Sequence, residues 1–314
     1  VAPGVRCEPI GALSRLHEPP DGFVIIGAGK TAMDAVCWLL DAGVDPGDIT
    51  WIRPREPWVL NRRFFQPGEG AVTTFDGIVR ELEAVVESAM FDEVVDRLEA
   101  QEFMWRIDPA VRPTMHRGAT VSRGELEQLR RVERVVRLGH VVAIGPDAIT
   151  LDGGSVPTTP GRLHVHCASA GLADNPPRPV FGDGSIVLQP ISRVNLCLSA
   201  GLIAVAEASG RSTADKNRLL PPNTWFDTAF DFFRHVLVGM RTELGWEDAP
   251  ELTEFLDGSR LNIMKGLDDA PDKGQVAELQ GRFLTALFPA LEKLDTFAAQ
   301  ATPAERARLF DPAG

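Results

Sequence analysis

The sequence predicts an α/β fold, with a parallel sheet flanked by helices and a helical C-terminal region. Three observations favour this fold. Four apolar residues, Phe23 to Ile26, end at a glycine turn that leads directly into a helical pattern. A second apolar run, residues 49–52, follows a loop rich in proline and glycine and is typical of a strand. Beyond Pro221, apolar residues recur at the spacing of helices that bury one face.

The glycine turn is the most specific motif in the chain. Gly27 lets the chain turn tightly out of a strand, Gly29 lets the backbone approach a pyrophosphate, and Ala32 lets the helix and strand pack closely. Strand, Gly-x-Gly-x-x-Ala turn and helix in this order predict a Rossmann-like unit that binds a dinucleotide, because the helix directs N–H groups at the phosphates. An ordinary tight turn is the alternative. Ala28, Lys30 and Thr31 are the other residues of the turn, and we expect them to belong to the coenzyme site as well.

A nucleotide triphosphate loop is excluded, although Lys30 and Thr31 follow Gly29 as its last residues would. That loop requires a glycine five residues before Gly29, and Val24 stands there within the apolar run. The sequence therefore argues against a phosphoryl-transfer enzyme.

The charges that follow the second strand bear on the choice of coenzyme. Arg53 and Arg55 stand where an Asp or Glu would bind the ribose 2′-OH of NAD. Because a guanidinium group can hold a phosphate in a bidentate fork, the pair favours NADP(H) over NAD(H). Glu56 is the competing feature, and two solvated surface arginines are the alternative interpretation.

The next hundred residues predict a mixture of loop, helix and strand. Residues 54–70 are interpreted as a long loop, and residues 75–102 as one or two helices whose acidic residues face solvent. Ser122 and Glu125 form a capping-box pattern that begins a helix extending to Val136.

Further strands are predicted at residues 141–144, 148–151 and 162–167. On the last of these, His164 and His166 point the same way, because side chains alternate along a strand. No obvious acidic or cysteine ligand completes a metal site, so we expect no metal. Residues 185–189 predict another strand, and residues 199–208 predict a helix of small residues.

Composition excludes several classes of partner and enzyme. The net charge of −12 argues against nucleic acid, and no apolar run approaches the roughly 20 residues of a membrane helix. The four cysteines form no C-x-x-C motif, so we expect free thiols, no zinc ribbon and a cytoplasmic protein. Tyrosine is absent, which excludes the Tyr-x-x-x-Lys pair of short-chain dehydrogenases. We expect a small-molecule substrate and leave the oligomeric state open.

Five segments in one order resemble the C-terminal two-thirds of flavoproteins with two dinucleotide-binding domains. They are FVIIGAGKTAMDAVCWLLDAG…ITWIRPRE, VSRGELEQLRRVERVVRLG, the hairpin ending at LDGG, RLHVHCASAGL, and IVLQPIS…LSAGLIAVAEA. The chain is most similar in this order to flavin-containing monooxygenase-like oxidoreductases, which bind FAD and NAD(P). The resemblance covers residues 1–210 and implies that the NADPH domain is inserted into the FAD domain.

The resemblance also assigns roles to residues. It implies that Gly27, Gly29, Thr31 and Ala32 contact the pyrophosphate of NADPH and that Arg53 and Arg55 contact its 2′-phosphate. Residues 166–171 and 189–200, which include Gln189, would close the FAD domain.

The resemblance leads us to divide the chain into four parts. Residues 1–20, which hold no convincing element, are a linker from an upstream FAD-binding segment, and residues 21–155 form an NADP-binding domain. Residues 156–215 complete the FAD-binding domain, and residues 216–314 form the helical C-terminal region. Related flavoproteins carry an earlier glycine turn for FAD. No second such turn follows a strand here, so we expect it upstream of Val1 and expect this chain to be a fragment.

Three functions remain open at this point. The first is an NADPH-dependent flavoprotein oxidoreductase, monooxygenase-like, in which hydride passes from NADPH to FAD. The second is a non-catalytic NADP(H)-binding redox sensor. The third is a flavin-free carbonyl reductase, for which His116, His164 or His166 would supply the proton. No catalytic residue is assigned, and Asn61, Arg62 and His166 are candidates for lining the cleft.

Overall fold

The computed structural model describes residues 1–169, 176–192 and 195–300. Strands are β1 (Cys7–Pro9), β2 (Phe23–Ile26), β3 (Ile49–Ile52), β4 (Trp58–Asn61), β5 (Met104–Arg106), β6 (Thr120–Val121), β7 (Val135–Val136), β8 (Val141–Ile144), β9 (Ala148–Leu151), β10 (Gly154–Pro157), β11 (Leu163–His166), β12 (Phe181–Gly182) and β13 (Ser185–Ile186). Helices are α1 (Lys30–Asp41), α2 (Ala71–Glu87), α3 (Phe91–Ala100), α4 (Arg123–Arg130), α5 (Leu196–Ala208), α6 (Thr213–Leu219), α7 (Ala229–Leu244), α8 (Pro250–Gly258) and α9 (Lys273–Gln300).

The chain divides into two compact units, and each is built from two separate stretches of sequence. Unit 1 comprises Val1–Leu60 and Trp105–Ala173, and unit 2 comprises Asn61–Met104 and Asp174–Gly314. Unit 1 contains the parallel sheet, whereas unit 2 is mainly helical. The expected α/β fold with a helical C-terminal region is confirmed.

Unit 1 is organised around a five-stranded sheet in the order β1-β11-β2-β3-β7, and all its neighbouring strands are parallel. The strands are short and nearly all apolar, as expected of a sheet that is covered on both faces. Val165, Ile25 and Trp51 lie opposite one another across three neighbouring strands and face the same side.

Each face of this sheet has its own apolar core. Ile25, Trp51 and Val165 belong to a cluster that includes residues of α1 and α4. Val24, Ile26 and Ile52, which alternate with them, belong to a second cluster that includes residues of the antiparallel sheet β10-β9-β8. The central strands are therefore enclosed, and their carboxyl ends are held in fixed positions by packing on two sides.

Unit 2 buries its helices against one another. One of its clusters joins α5, α6 and α8 through residues such as Leu202, Leu219 and Leu252. A second joins α2 and α9 through Phe75, Val79 and Leu279.

Several sequence predictions of local structure were right. The turn between β2 and α1, the strands β3, β8, β9 and β11, and two helices within residues 75–102 are all present. Ser122 and Glu125 form the predicted capping box, with Glu125 N–H donating to Ser122 Oγ at 3.2 Å. The small-residue helix is present and begins at Leu196.

Other predictions of local structure were wrong. Residues 1–20 contain β1, the edge strand of the main sheet, and the predicted loop at residues 54–70 contains β4. The capping-box helix ends at Arg130, and Val136 lies in β7 instead. Of the predicted strand at residues 185–189, only Ser185–Ile186 is a strand. Each missed strand is two to four residues long and is fixed by a partner distant in sequence, so local periodicity does not reveal it.

Candidate functional site

The glycine turn lies at a place where parallel sheets commonly bind ligands. The chain leaves β2 to form β3 on one side, while β11, formed much later, pairs with β2 on the other side. The carboxyl ends of β2 and β11 are thus adjacent at a change of strand order. Crevices at such points are the usual ligand sites of open α/β sheets.

Gly27 cannot be replaced by a larger residue without a structural change. Its φ of 128° lies in a region that residues with a Cβ rarely adopt, and an added Cβ would stand 2.5 Å from the carbonyl oxygen of Cys167. Its own N–H donates to the Ile52 carbonyl at 3.0 Å. The turn is therefore held tightly between β11 and β3.

Trp51 holds the glycine turn in place through a hydrogen bond, a role that the sequence did not predict. Its indole N–H donates to the carbonyl oxygen of Gly27 at 2.8 Å, and its side chain is fully buried. A buried indole requires such an acceptor. The sequence signal was a tryptophan within the four-residue strand that follows the glycine turn and its helix.

Gly29 differs from Gly27, because the space beside it is open. It is the N-cap of α1, with φ −81° and ψ 178°, and a Cβ added there would meet no atom of the described residues within 4 Å. Gly29 has no side chain to cap the helix. The Ala32 N–H donates to the Gly29 carbonyl at 3.0 Å, so the N–H groups of Lys30 and Thr31, at the positive end of the helix dipole, are those that an anion would meet.

The other residues of the predicted turn have different surroundings. Ala28 is buried and Ala32 is fully buried against the sheet, as the close packing of helix and strand requires. Thr31 is exposed. Lys30 is half-buried and forms ion pairs with Asp34 and, at 3.7 Å, with Glu125 Oε1. Its ammonium group is thus held close to the start of α1.

Arg53 and Arg55 are not equivalent. The side chain of Arg53 is 3% exposed, its guanidinium lies 4.6 Å from the Trp51 ring centre, and its Nη1 is 3.2 Å from Glu56 Oε2. Glu56 also accepts from Arg137 Nε at 2.6 Å. Burial lowers the pKa of Arg53 to about 10. Arg55 is only half-buried and is the better placed of the two to meet a solvent-borne phosphate.

The two strand histidines have different environments. His164 is buried, with Thr158 Oγ1 2.9 Å from its Nε2 and the Arg6 carbonyl 3.0 Å from its Nδ1, and burial lowers its pKa. His166 is exposed at the carboxyl end of β11. His116 is fully buried, and burial lowers its pKa to about 3. Among the described residues, no group of three or more His, Cys, Asp or Glu side chains is arranged to hold a metal ion.

The remaining predicted residues belong to unit 2. The Gln189 side chain bonds to the backbone of Arg178, through Oε1 at 3.2 Å and Nε2 at 2.7 Å. Asn61 is buried, and its amide donates to the Glu102 carbonyl at 2.9 Å. Parts of the two segments expected to close the FAD domain, residues 170–171 and 193–194, lie outside the described residues.

Within the part of the chain that the structure describes, no helix is both long and apolar enough to cross a membrane. All four cysteines are free thiols, and burial raises the pKa of both Cys37 and Cys167 to about 11.

Comparison with known proteins gives close relatives but no function. No protein-family model matches the chain, and no solved structure is significantly similar to it. The chain is 42% identical over 272 residues to Uncharacterized protein Rv2000 of Mycobacterium tuberculosis (strain ATCC 25618 / H37Rv) and to Uncharacterized protein Mb2023 of Mycobacterium bovis. Each match covers 85% of this chain and 50% of the relative. The chain thus spans about half the length of the curated relatives that it matches.

Proposed function

We propose that the turn at Gly27–Thr31 binds the pyrophosphate of NADP(H), and that the whole protein is an NADPH-dependent flavoprotein oxidoreductase, monooxygenase-like, of the cytoplasm. One observation carries the coenzyme site. Gly27 fixes a turn that places the start of α1 at the carboxyl edge of the parallel sheet. This helix start has no side-chain cap, and the space beside Gly29 is open. This combination is what a dinucleotide requires.

The residues present fit a nicotinamide coenzyme at this turn. The space at Gly29 is the space that a phosphate would fill, and the first turn of α1 supplies N–H donors. The coenzyme would supply the hydride, while the chain binds it and orients it. The proposal that the whole protein binds FAD rests on the sequence resemblance alone, because the sequence contains only one glycine turn that follows a strand.

Substitution of Gly29 tests the site, because it separates binding from folding. In Gly29→Asp, the new carboxylate would cap α1 and occupy the anion site. We expect thermal stability to be equal or higher than that of the wild type and NADPH binding to be lost, as measured by calorimetry. Gly124→Asp, at an open position in α4, is the matched control and should bind NADPH normally.

Retention of NADPH binding by Gly29→Asp would refute the site. Binding together with NADPH oxidation by the full-length protein only when FAD is added would support the flavoprotein. Turnover of a carbonyl substrate without flavin would favour the reductase, and binding without any turnover would favour the sensor.

Coenzyme preference is tested at Arg55. We expect Arg55→Gln to weaken NADPH binding by roughly tenfold and to leave NADH binding unchanged, because a hydrogen bond to a charged group is worth about 1.5–3 kcal/mol. Parallel titrations with the two coenzymes provide the measurement. An equal loss of affinity for NADPH and NADH would show that Arg55 does not contact the 2′-phosphate.

A further inference from the structure

Unit 2 contains a mainly apolar cavity of about 270 Å³. α2 contributes Phe75 and Ile78 to its wall, and α7 contributes Val236 and Met240, in each case from one face of the helix. A concave site lined by aromatic side chains is typical of small-molecule binding. Six phenylalanines line it in all: Phe64, Phe65, Phe75, Phe103, Phe232 and Phe283.

One carboxyl group in this apolar wall has no hydrogen-bond partner among the described residues. Glu81 follows Ile78 by three residues on the same face of α2 and is only 6% exposed. Its Oε1 atom is buried and forms no hydrogen bond. Burial alone raises the pKa of Glu81 to about 8, and no charged group contributes to the shift. In this apolar setting burial favours the neutral carboxylic acid, which has a proton to donate.

The other polar groups in the wall already have partners. Glu243 accepts a hydrogen bond from the Ser192 hydroxyl. The Thr74 hydroxyl donates to the Gln66 carbonyl at 2.8 Å, and Asn195 Oδ1 accepts from the Leu198 N–H at 3.0 Å. A buried polar group that is left unpaired destabilises the folded state, so a ligand that accepts a hydrogen bond from Glu81 would remove this penalty.

We propose that this cavity binds a neutral, mainly aromatic molecule that carries an oxygen acceptor, which receives a hydrogen bond from the Glu81 carboxyl. The described residues around the cavity include no Arg, Lys or His, so nothing there would neutralise an anion. The cavity wall contains two carboxyl groups, and Glu243 already accepts a hydrogen bond from the Ser192 hydroxyl. A cationic ligand at Glu81 would require this group to ionise among phenylalanines, which is unfavourable. A ketone, ester or amide with one aromatic ring suits both the volume and the donor. The site stands independently of the coenzyme site.

Benzylacetone, a neutral phenyl ketone, and butylbenzene, its analogue without the oxygen, are the probes. Both are titrated calorimetrically into the chain and into Glu81→Gln and Glu81→Leu. The glutamine amide still donates, so we expect benzylacetone to bind Glu81→Gln within about threefold of wild type and Glu81→Leu at least about tenfold more weakly, since tenfold corresponds to about 1.4 kcal/mol. Butylbenzene should bind Glu81→Leu at least as tightly as wild type.

The controls separate Glu81 from its helix and from its charge. Glu87→Leu, at an exposed position of α2, should bind benzylacetone like the wild type. The amine analogue of benzylacetone should bind more weakly than the ketone. If the amine bound more tightly and lost affinity in Glu81→Gln, the cavity would be a cation site and the proposal would be wrong. Failure of benzylacetone to bind, or equal binding to all variants, would also overturn it.

Discussion

Two glycines separated by a single residue perform different tasks in the same turn. Gly27 is required by the fold, because the Cys167 backbone occupies the space where a Cβ would stand. Gly29 has ordinary backbone angles and open space, so nothing in the fold of unit 1 requires a glycine there. Its place between a strand end and a helix start is what makes this open glycine support the proposed approach of a ligand to the backbone.

Gly27→Ala therefore tests whether the fold requires a glycine at position 27. We expect a loss of about 3 kcal/mol in the free energy of unfolding, from the clash with Cys167 and the unfavourable φ. Urea unfolding provides the measurement. Gly29→Ala is the matched control and should stay within about 1 kcal/mol of wild type, because Ala is a poorer N-cap than Gly but meets no neighbour. Similar losses in both variants would contradict the assignment.

At the level of elements, the sequence predicted what is local and missed what is not. The βαβ unit from β2 to β3 was predictable because apolar runs, turn residues and helix period agree over thirty residues. The edge strand β1 contains Pro9, and β7 has two residues, so only their partners β11 and β3 define them. Of the candidate site, the turn was predictable, whereas the pairing of Arg53 with Glu56 was not.

α2 shows the same limit within one helix. The spacing of Ile78, Leu82 and Val85 predicted a helix, and its acidic residues were expected to face solvent. That expectation was wrong for Glu81, which lies on the apolar face between Ile78 and Leu82. A charged residue at an apolar position of the repeat is the signal that would have found it. Such a position is costly for the fold unless the group is neutral or has a ligand.

The burial of Glu81 predicts an unusual dependence of stability on pH. From about pH 4.3, the ordinary glutamate pKa, to about pH 8, the folded chain keeps a proton that the unfolded chain releases. The Glu81 contribution to the free energy of unfolding therefore falls as pH rises through this window, by up to about 1.4 kcal/mol per pH unit, and levels off above it. Glutamine does not titrate, so Glu81→Gln should become increasingly more stable than wild type from pH 4.3 to 8.

Urea unfolding of both proteins at several pH values in this window would measure the difference. Glu87→Gln, at an exposed site on the same helix, is the control and should show no such trend. A constant difference between wild type and Glu81→Gln across the window would mean that Glu81 is ionised in the folded chain. The cavity would then lack the neutral hydrogen-bond donor that the proposed ligand requires.

On the scale of the whole molecule, the chain carries two candidate sites of opposite character in two compact units. The proposed coenzyme site of unit 1 consists of backbone N–H groups at a strand end and suits an anion. The cavity of unit 2 is lined mainly by phenylalanine and other apolar side chains, with Glu81 as the unpaired carboxyl group, and suits a neutral ring compound. Each unit has its own apolar clusters, so the two sites can be examined separately in the same chain.

Amide hydrogen exchange should locate the two ligands in different units, because a ligand slows the local opening of the structure that it contacts. NADPH should slow exchange most at residues 27–33 and 165–168, and benzylacetone should slow it most in α2 and α7. In Gly29→Asp the first effect should vanish and the second remain, and in Glu81→Leu the reverse should hold. If NADPH instead slowed exchange most in α2 and α7, the coenzyme would bind in unit 2. The proposed site at the carboxyl edge of the parallel sheet would then be wrong.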